Sequence, residues 1–104
     1  MSAAPEYHFD WHTDKARTNL QKHKVSFPTA STVFRDALAI TVYDDEHSDD
    51  GDQRWVTIGR ASSGQTLVVV HTFKALDATR IELRLISARK ADRQELRDYE
   101  RAPR

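Results

Sequence analysis

Six basic side chains in the second half of the chain have the types and the spacing to bind a phosphate group. They are Arg60, His71, Arg80, Arg84, Arg89 and Lys90. Arginine binds phosphate oxygens bidentately, lysine supplies a compact positive charge, and histidine exchanges protons near neutral pH. These positions lie in separate strand-like segments, so they can meet only if the strands pair as hairpins.

Cleavage of RNA without a metal ion is one reaction that such a cluster could support. The reaction needs a base for the 2′-hydroxyl, an acid for the leaving oxygen and positive charge beside the phosphorane. His71 is a candidate for proton transfer, whereas arginine is a poor acid that holds charge. Structural interpretations stay open: a histidine on an apolar strand is often a core residue, and Arg80 and Arg84 can pair with nearby carboxylates.

Metal and cofactor chemistry have little support in the sequence. His8 and His12 stand four residues apart, but in a predicted tail and helix entry, which does not favour a four-ligand cage. Residues 44–52 carry six carboxylates and no Lys or Arg. If Gly51 is placed at the turn of a calcium-binding loop, Thr57 falls where a bidentate glutamate is required. We therefore expect no metal and no cofactor, and the acidic stretch is a solvated loop that could dock a basic partner.

Four strand-like runs must position the basic residues: 38–43, 54–60, 65–73 and 80–90. The third run is apolar at successive positions, which suits a central strand covered on both faces. The fourth run alternates between apolar and charged residues, so one face of the sheet should carry arginines. The connections are too short for crossover helices, and the sheet is therefore predicted to be antiparallel.

Two predicted helices precede these strands. The first covers residues 13–23, with Ala16, Leu20 and His23 at the spacing of one buried face. The second covers residues 27–35 and begins after Ser26, which can cap its first turn.

A third helix is predicted to follow the strands. It starts after Asp92, forms a capping box with Glu95 and continues to about residue 101. The predicted class is α+β: two N-terminal helices, a four-stranded antiparallel sheet and a C-terminal helix.

Length and composition predict a single small domain. The chain has 104 residues, and we expect a flexible tail at residues 1–8 and one domain at residues 9–104. The longest apolar run, residues 67–70, is too short to span a membrane, and residues 1–6 do not resemble a signal peptide. These features favour a cytoplasmic protein.

The two halves of the chain carry opposite net charge. Residues 1–52 contain five basic and ten acidic side chains, whereas residues 53–104 contain eleven basic and six acidic ones. The basic half can bind a polyanion although the whole chain is neutral. Mutual neutralisation of the two halves at the surface is an equally good interpretation of the charges alone.

Several motifs in order resemble the BrnT family of bacterial type II toxins. They are Phe-Asp-Trp at 9–11, Lys-His-Lys-Val-Ser-Phe at 22–27, Val-Thr-Ile-Gly-Arg at 56–60, Leu-Val-Val-Val-His-Thr at 67–72, Ile-Ser-Ala-Arg-Lys-Ala at 86–91, and Glu95 and Tyr99. The resemblance covers about residues 9–100. It implies a RelE-like fold and a ribonuclease that arrests translation. It also implies a BrnA-type antitoxin that sequesters the toxin in a joint oligomer, and promoter DNA bound only through that antitoxin.

The resemblance also implies roles for individual residues. Arg60 would contact or polarise phosphate, while Arg84 and Arg89 would hold the RNA backbone or stabilise the phosphorane. His71 and His23 are the implied candidates for proton transfer. Lys90 would assist these arginines, and Glu95 and Tyr99 are candidates for the rim of the site. Arg80, a member of the basic cluster rather than of the family motifs, is a further predicted RNA-binding residue.

Three residues depart from the family pattern. His12 stands where the family usually has Asp at the cap of the first helix, and Gln53 stands where an acidic residue is common. Lys24 stands where the family usually has Gly just past that helix. We therefore predict a positive φ at Lys24.

Overall fold

The computed structural model of the chain describes residues 5–46, 48 and 53–103. One strand precedes the first helices, five strands follow them, and a last helix ends this part of the chain. In chain order they are β1 (Glu6–Asp10), α1 (Thr13–His23), α2 (Phe27–Ser31), a 3₁₀ helix (Thr32–Arg35), β2 (Ile40–Tyr43), β3 (Trp55–Arg60), β4 (Thr66–His71), β5 (Lys74–Ala75), β6 (Arg80–Lys90) and α3 (Arg93–Arg101).

Within the described residues, six strands form one mixed sheet. The spatial order is β1, β6, β4, β3 and β2, and β5 pairs with β6 outside this path. β1 runs parallel to the first half of β6, with Glu6 opposite Arg80 and Asp10 opposite Arg84. The other pairs are antiparallel, and β4 lies along the second half of β6.

The predicted fold, two helices followed by a four-stranded antiparallel sheet and a last helix, is wrong. It omits β1, which precedes the helices and pairs in parallel, and the short β5. The reason is the length of β6: β4 pairs only with its residues 85–90, so the first half needs other partners. β1 and β5 pair with this first half. Without them, its backbone N–H and C=O groups would have no hydrogen-bond partner in a neighbouring strand.

The predicted tail at residues 1–8 is also corrected, because residues 6–8 belong to β1. Residues 1–4 lie outside the described part of the chain. Tyr7 and Phe9 alternate with polar neighbours, which is the period of a strand, but the segment is short and all five of its residues are exposed. The single-domain assignment itself stays a prediction.

One face of the sheet packs against α1, α2 and the 3₁₀ helix to form the core. Gly59 allows the closest approach, because a Cβ atom at this position would lie 3.1 Å from the Cβ atoms of Val33 and Ala39. The buried apolar residues of this core are Val25, Phe27, Ala30, Val33, Ala61, Leu67, Val69, Leu85 and Ala88.

The bounds of α1 agree with the prediction, but its buried face does not. Leu20, predicted to face the core, is 50% exposed, whereas Asn19 is buried. The Asn19 amide nitrogen donates to the carbonyl oxygens of Val25 and Ala88, and its oxygen accepts from the Ala88 N–H. Helical periodicity cannot identify the buried position of Asn19, because the hydrogen bonds of Asn19 are made to backbone groups far along the chain.

Local signals at the helix ends are confirmed. Ser26 accepts a hydrogen bond from the Thr29 N–H, and Asp92 and Glu95 form the predicted capping box. Lys24 has a φ of 59°, the left-handed conformation that favours glycine. The second helix is shorter than predicted, because α2 ends at Ser31 and a 3₁₀ helix follows.

Candidate functional site

Two adjoining cavities meet at Arg60, the last residue of β3. One has a volume of about 420 Å³ and is lined by Arg35, Asp36 and Tyr99, among others. The second, of about 310 Å³, lies between Arg60 and Lys90 at the end of β6. Arg60 therefore stands between two recesses that have basic residues in their walls.

A hydrogen-bond network centred on Asp36 holds Arg60 and Tyr99 together. One Asp36 oxygen accepts from the Tyr99 hydroxyl at 2.5 Å and from the Arg60 N–H at 2.8 Å, and the other accepts from the Leu38 N–H at 2.9 Å. Partial burial opposes ionisation, but these hydrogen bonds outweigh it and lower the pKa of Asp36. The carboxylate thereby ties the end of the 3₁₀ helix to β3 and α3.

The guanidinium of Arg60 lies 5.9 Å from the centre of the Tyr99 ring. That distance is within the range of a cation–π interaction. Among residues 5–46, 48 and 53–103, no ion pair joins this guanidinium to a carboxylate. Arg60 is exposed and can receive an anion from solvent.

Arg89 lies next to Lys90 but is paired with a carboxylate. Its two terminal nitrogens donate to the two oxygens of Glu95, each at 2.7 Å. The hydrogen bond from Arg89 is the main cause of the lowered pKa of Glu95. Glu95 also accepts from the Asp92 N–H, so the ion pair fastens β6 to the first turn of α3.

Arg84 and Arg80 are paired as well, at the other end of β6. Arg84 donates twice to one oxygen of Asp10 in β1, at 2.8 and 3.1 Å. Arg80 donates to Asp77, three residues earlier, at 2.6 Å. Arginines do line β6 as predicted, but all three of them, Arg80, Arg84 and Arg89, have carboxylate partners.

His71 lies in the core, with 1% of its surface exposed. Its Nδ1 lies 2.8 Å from the Thr72 carbonyl oxygen and its Nε2 lies 2.7 Å from the Thr57 hydroxyl. Because a carbonyl can only accept, Nδ1 carries the proton and Nε2 accepts from Thr57. Burial lowers the pKa of His71, so the ring is neutral. The structure does not bring it to the cavities beside Arg60.

His23 lines a different groove, between α1 and β6, with Lys15, Lys22 and Ser87. A larger groove, of about 610 Å³, crosses the exposed sheet face and includes Ser87, Arg89 and Arg54 in its walls. The two grooves share Ser87, whereas neither includes Arg60. The predicted cations are therefore spread over several parts of the molecule and do not form one cluster.

Among the described residues, no group of three or more His, Asp and Glu side chains is arranged to hold a metal. No helix in this part of the chain is long and apolar enough to cross a bilayer.

Sequence reasoning missed Asp36 and Arg35 as members of the site. A local signal existed for Asp36, because an Asp just past a helix that accepts from the N–H two residues on is a common turn motif. Its bonds to Arg60 and Tyr99 span 24 and 63 residues. Partners so distant in sequence cannot be read from local spacing.

The arrangement can bind an anion at Arg60 and stabilise negative charge there. The guanidinium is supported by an aromatic face and by a carboxylate that holds the neighbouring backbone. These features suit a ligand with phosphate groups.

Comparison with known proteins shows the family to which the chain belongs. Residues 11–95 match a family model described as the ribonuclease toxin, BrnT, of type II toxin-antitoxin systems. The chain therefore belongs to the BrnT family of ribonuclease toxins, as its sequence motifs indicate. Membership of this family implies an RNA substrate and an antitoxin partner.

A solved structure supports the fold. The chain resembles the crystal structure of the Brucella abortus ribonuclease toxin BrnT, with 22% sequence identity and a TM-score of 0.56. The match covers 85% of this chain and 99% of the Brucella chain. No curated protein sequence matches the chain.

Proposed function

We propose that this chain is a metal-independent endoribonuclease whose principal phosphate-binding residue is Arg60. The 2′-hydroxyl of RNA would attack the adjacent phosphorus and lose its proton to water, and the P–O5′ bond would break to leave a 2′,3′-cyclic phosphate and a 5′-hydroxyl that takes a proton from water. Arg60 would stabilise the charge of the phosphorane between these two events. The observation that carries this proposal is the place of Arg60, unpaired with any described carboxylate, between two cavities. Family membership supports the choice of RNA as substrate.

Lys90 and Arg35 line the cavities on either side of Arg60 and are suited to bind flanking phosphates. Arg84 and Arg89, implied as RNA-binding by the family, would have to exchange their carboxylates for phosphate. Such an exchange is energetically small, because partly exposed ion pairs contribute about 0–1 kcal/mol. We assign Arg60 the larger role because it needs no such exchange, and we infer that His71 stabilises the fold.

The remaining parts of the proposal follow the family resemblance. A BrnA-type antitoxin would bind and neutralise the chain, and promoter DNA would be bound through that antitoxin alone. Cleavage of cellular RNA in the cytoplasm would arrest translation.

The test is an RNA cleavage assay in EDTA with wild-type chain, Arg60→Ala and Arg60→Lys. We expect Arg60→Ala to reduce the cleavage rate by about 100-fold, because loss of one charge-stabilising donor typically costs that much. Arg60→Lys should retain part of the activity, since it keeps the charge but loses the bidentate geometry.

Arg17→Ala is the matched control, because Arg17 is an exposed arginine of α1 that is paired with Asp14 and lines neither cavity. Its cleavage rate should stay within twofold of wild type. Intact RNA with the wild-type chain, or equal rates for Arg60→Ala and wild type, would contradict the proposal. Activity that EDTA abolishes would contradict its metal-independent part.

A second candidate function is a non-catalytic module that binds an antitoxin and assists promoter repression. The observation in its favour is that Arg80, Arg84 and Arg89 each have a carboxylate partner. Expression of the chain without its antitoxin separates the two functions. Growth arrest that Arg60→Ala relieves supports the nuclease, whereas harmless expression with tight antitoxin binding supports the module.

A further inference from the structure

Aromatic side chains form a row on the core side of the sheet, the side that packs against α1, α2 and the 3₁₀ helix. The row lies beyond the residues that α2 covers. We call these residues the aromatic row: Tyr7, Phe9, Phe34, Trp55, Tyr43 and Phe73. At one end, the ring of Phe34 lies 5.5 Å from that of Phe9 and 6.5 Å from that of Tyr7. At the other end, the ring of Trp55 lies 5.1 Å from that of Tyr43 and 6.4 Å from that of Phe73.

The buried ring of His71 connects the two ends of the row. It packs edge-on against Phe34 at 4.9 Å, and its Cα atom is directly opposite that of Trp55 in the β3–β4 pair. Residues directly opposite in neighbouring strands place their side chains on the same face of the sheet. The two ends of the row therefore lie on the same face of the sheet and are joined beneath the surface by the buried ring of His71.

The aromatic row is open to solvent in the isolated chain. The exposed fractions are 41% for Tyr7, 37% for Phe9, 41% for Tyr43 and 47% for Phe73. Exposed aromatic clusters are characteristic of protein interfaces, where Tyr, Trp and Phe supply much of the binding energy. Two aromatic side chains at each end would leave water on binding.

Charge at one end of the row distinguishes between possible occupants. Tyr43 is followed directly by Asp44, Asp45 and Glu46, and the last two are exposed. RNA bases can stack on aromatic rings, but a phosphate backbone would be repelled by these carboxylates. A peptide segment with Lys or Arg beside apolar residues fits both the rings and the charge.

We propose that the aromatic row binds the antitoxin, through a segment in which apolar side chains are flanked by basic ones. The inference rests on the proposed function only in taking the partner to be the antitoxin that the family implies. Apolar side chains of the segment would cover Phe9 and Phe73, and its basic residues would face Asp45 and Glu46.

The row and Arg60 lie on opposite faces of the sheet. Trp55 and Thr57 point to the helix side, where Thr57 bonds His71, and side chains alternate along β3. Arg60 is an odd number of residues from both and therefore points the other way. Changes in the row should consequently leave cleavage of RNA unaffected.

The experiment measures two affinities for each variant of the full chain. The first is for the protein encoded by the reading frame adjoining the gene, and the second is for a 12-nucleotide oligouridine. Arg60 is kept in every variant, and the oligouridine carries 2′-O-methyl groups, which block the attacking hydroxyl so that the RNA is not cut. Phe9→Ser and Phe73→Ser should each weaken binding of the protein partner by about tenfold or more, as loss of a buried aromatic anchor does. Their affinity for oligouridine should not change.

Leu20→Ser is the matched control, because Leu20 is an equally exposed apolar residue on α1, outside the row. It should not alter either affinity. A double change of Asp45→Lys and Glu46→Lys should weaken binding of the partner and reduce its dependence on salt. Thermal unfolding of each variant identifies any that fail to fold.

Each contrary outcome has a separate meaning. Unchanged partner affinity in folded Phe9→Ser and Phe73→Ser overturns the proposal, and so does a loss of oligouridine affinity with partner affinity intact, which would make the row a base-stacking surface. If the adjoining product does not bind the wild-type chain, the antitoxin assumption and this proposal both fail. The nuclease proposal is judged separately, by the cleavage rate of Arg60→Ala on an otherwise wild-type chain.

Discussion

Single carboxylates distinguish the arginines of this chain from one another. Asp10, Asp77 and Glu95 each hold one guanidinium of β6. Asp36 acts differently, because it accepts from the backbone of Arg60 and from Tyr99 and leaves the guanidinium facing the cavities. Residue types alone would rank these arginines as equivalent, whereas their partners separate them.

His71 should give the folded chain a measurable dependence on pH. Burial lowers its pKa in the folded state, while the unfolded ring protonates near pH 6.5. Below about pH 6.5 the unfolded chain therefore binds more protons, and the free energy of unfolding falls as the pH falls. The loss begins near pH 6.5, where the unfolded ring protonates, and grows on acidification until the folded ring also protonates.

Urea unfolding at pH 7.5, 6.5 and 5.5 measures this effect. His71→Gln should be less stable than wild type at pH 7.5 but should lose less stability on acidification. His8→Gln, which changes a half-exposed ring, should behave like wild type. Equal pH dependence in wild type and His71→Gln would show that the ring is not held neutral.

At the scale of elements, Asn19 completes the open edge of β6. β1 pairs with β6 only as far as Arg84, so the backbone beyond that residue lacks a strand on this side. The Asn19 amide both donates to and accepts from Ala88, as a residue of a neighbouring strand would. One side chain on α1 thus substitutes for the missing strand and fixes the helix on the sheet.

Asn19→Ala should therefore destabilise the fold strongly. The change leaves the carbonyl oxygens of Val25 and Ala88 and the Ala88 N–H without this partner, and a buried unsatisfied group costs about 1–3 kcal/mol. We expect the free energy of unfolding to drop by about 3 kcal/mol in urea titrations. Thr18→Ala, an exposed change on the same helix, should alter it by less than about 0.5 kcal/mol. A similar small effect for Asn19→Ala would refute the role of the amide.

At the scale of the whole molecule, the sheet separates two surfaces. The side that packs against α1, α2 and the 3₁₀ helix carries the aromatic row, and the opposite side carries Arg60 at the end of β3. β1 belongs to this organisation, because Phe9 and Tyr7 begin the row while Asp10 holds Arg84. A strand of five exposed residues thereby contributes to both the sheet and the proposed interface.

Removal of β1 should destabilise the entire chain. Deletion of residues 1–10 exposes Leu83, now 1% exposed, and removes the parallel pairing to β6. We expect a loss of at least about 3 kcal/mol in the free energy of unfolding, from apolar burial and hydrogen bonds together. Deletion of residues 1–4, which leaves β1 intact, is the control. Equal urea midpoints for the two deletions would mean that β1 contributes nothing to stability.

The sequence alone determined the features that depend on near neighbours. Turn residues and period-two alternation located β3, β4 and β6, and the capping residues Ser26 and Asp92 located two helix starts. The motifs at positions 9–91 were sufficient to indicate the family, which the match over residues 11–95 confirms. The positive φ of Lys24 followed from the glycine that usually stands there.

Only the tertiary structure decided how these elements combine. β1 pairs with residues more than seventy positions away, and Asn19 bonds Ala88 at a separation of 69 residues. The same holds for the site, since Arg84 meets Asp10 across 74 residues and Tyr99 meets Asp36 across 63. Local sequence patterns determine the backbone conformation and the side of an element to which each side chain points. Contacts between distant segments depend instead on how the whole chain packs. For that reason the sequence identifies the arginines, whereas only the fold shows which of them have carboxylate partners.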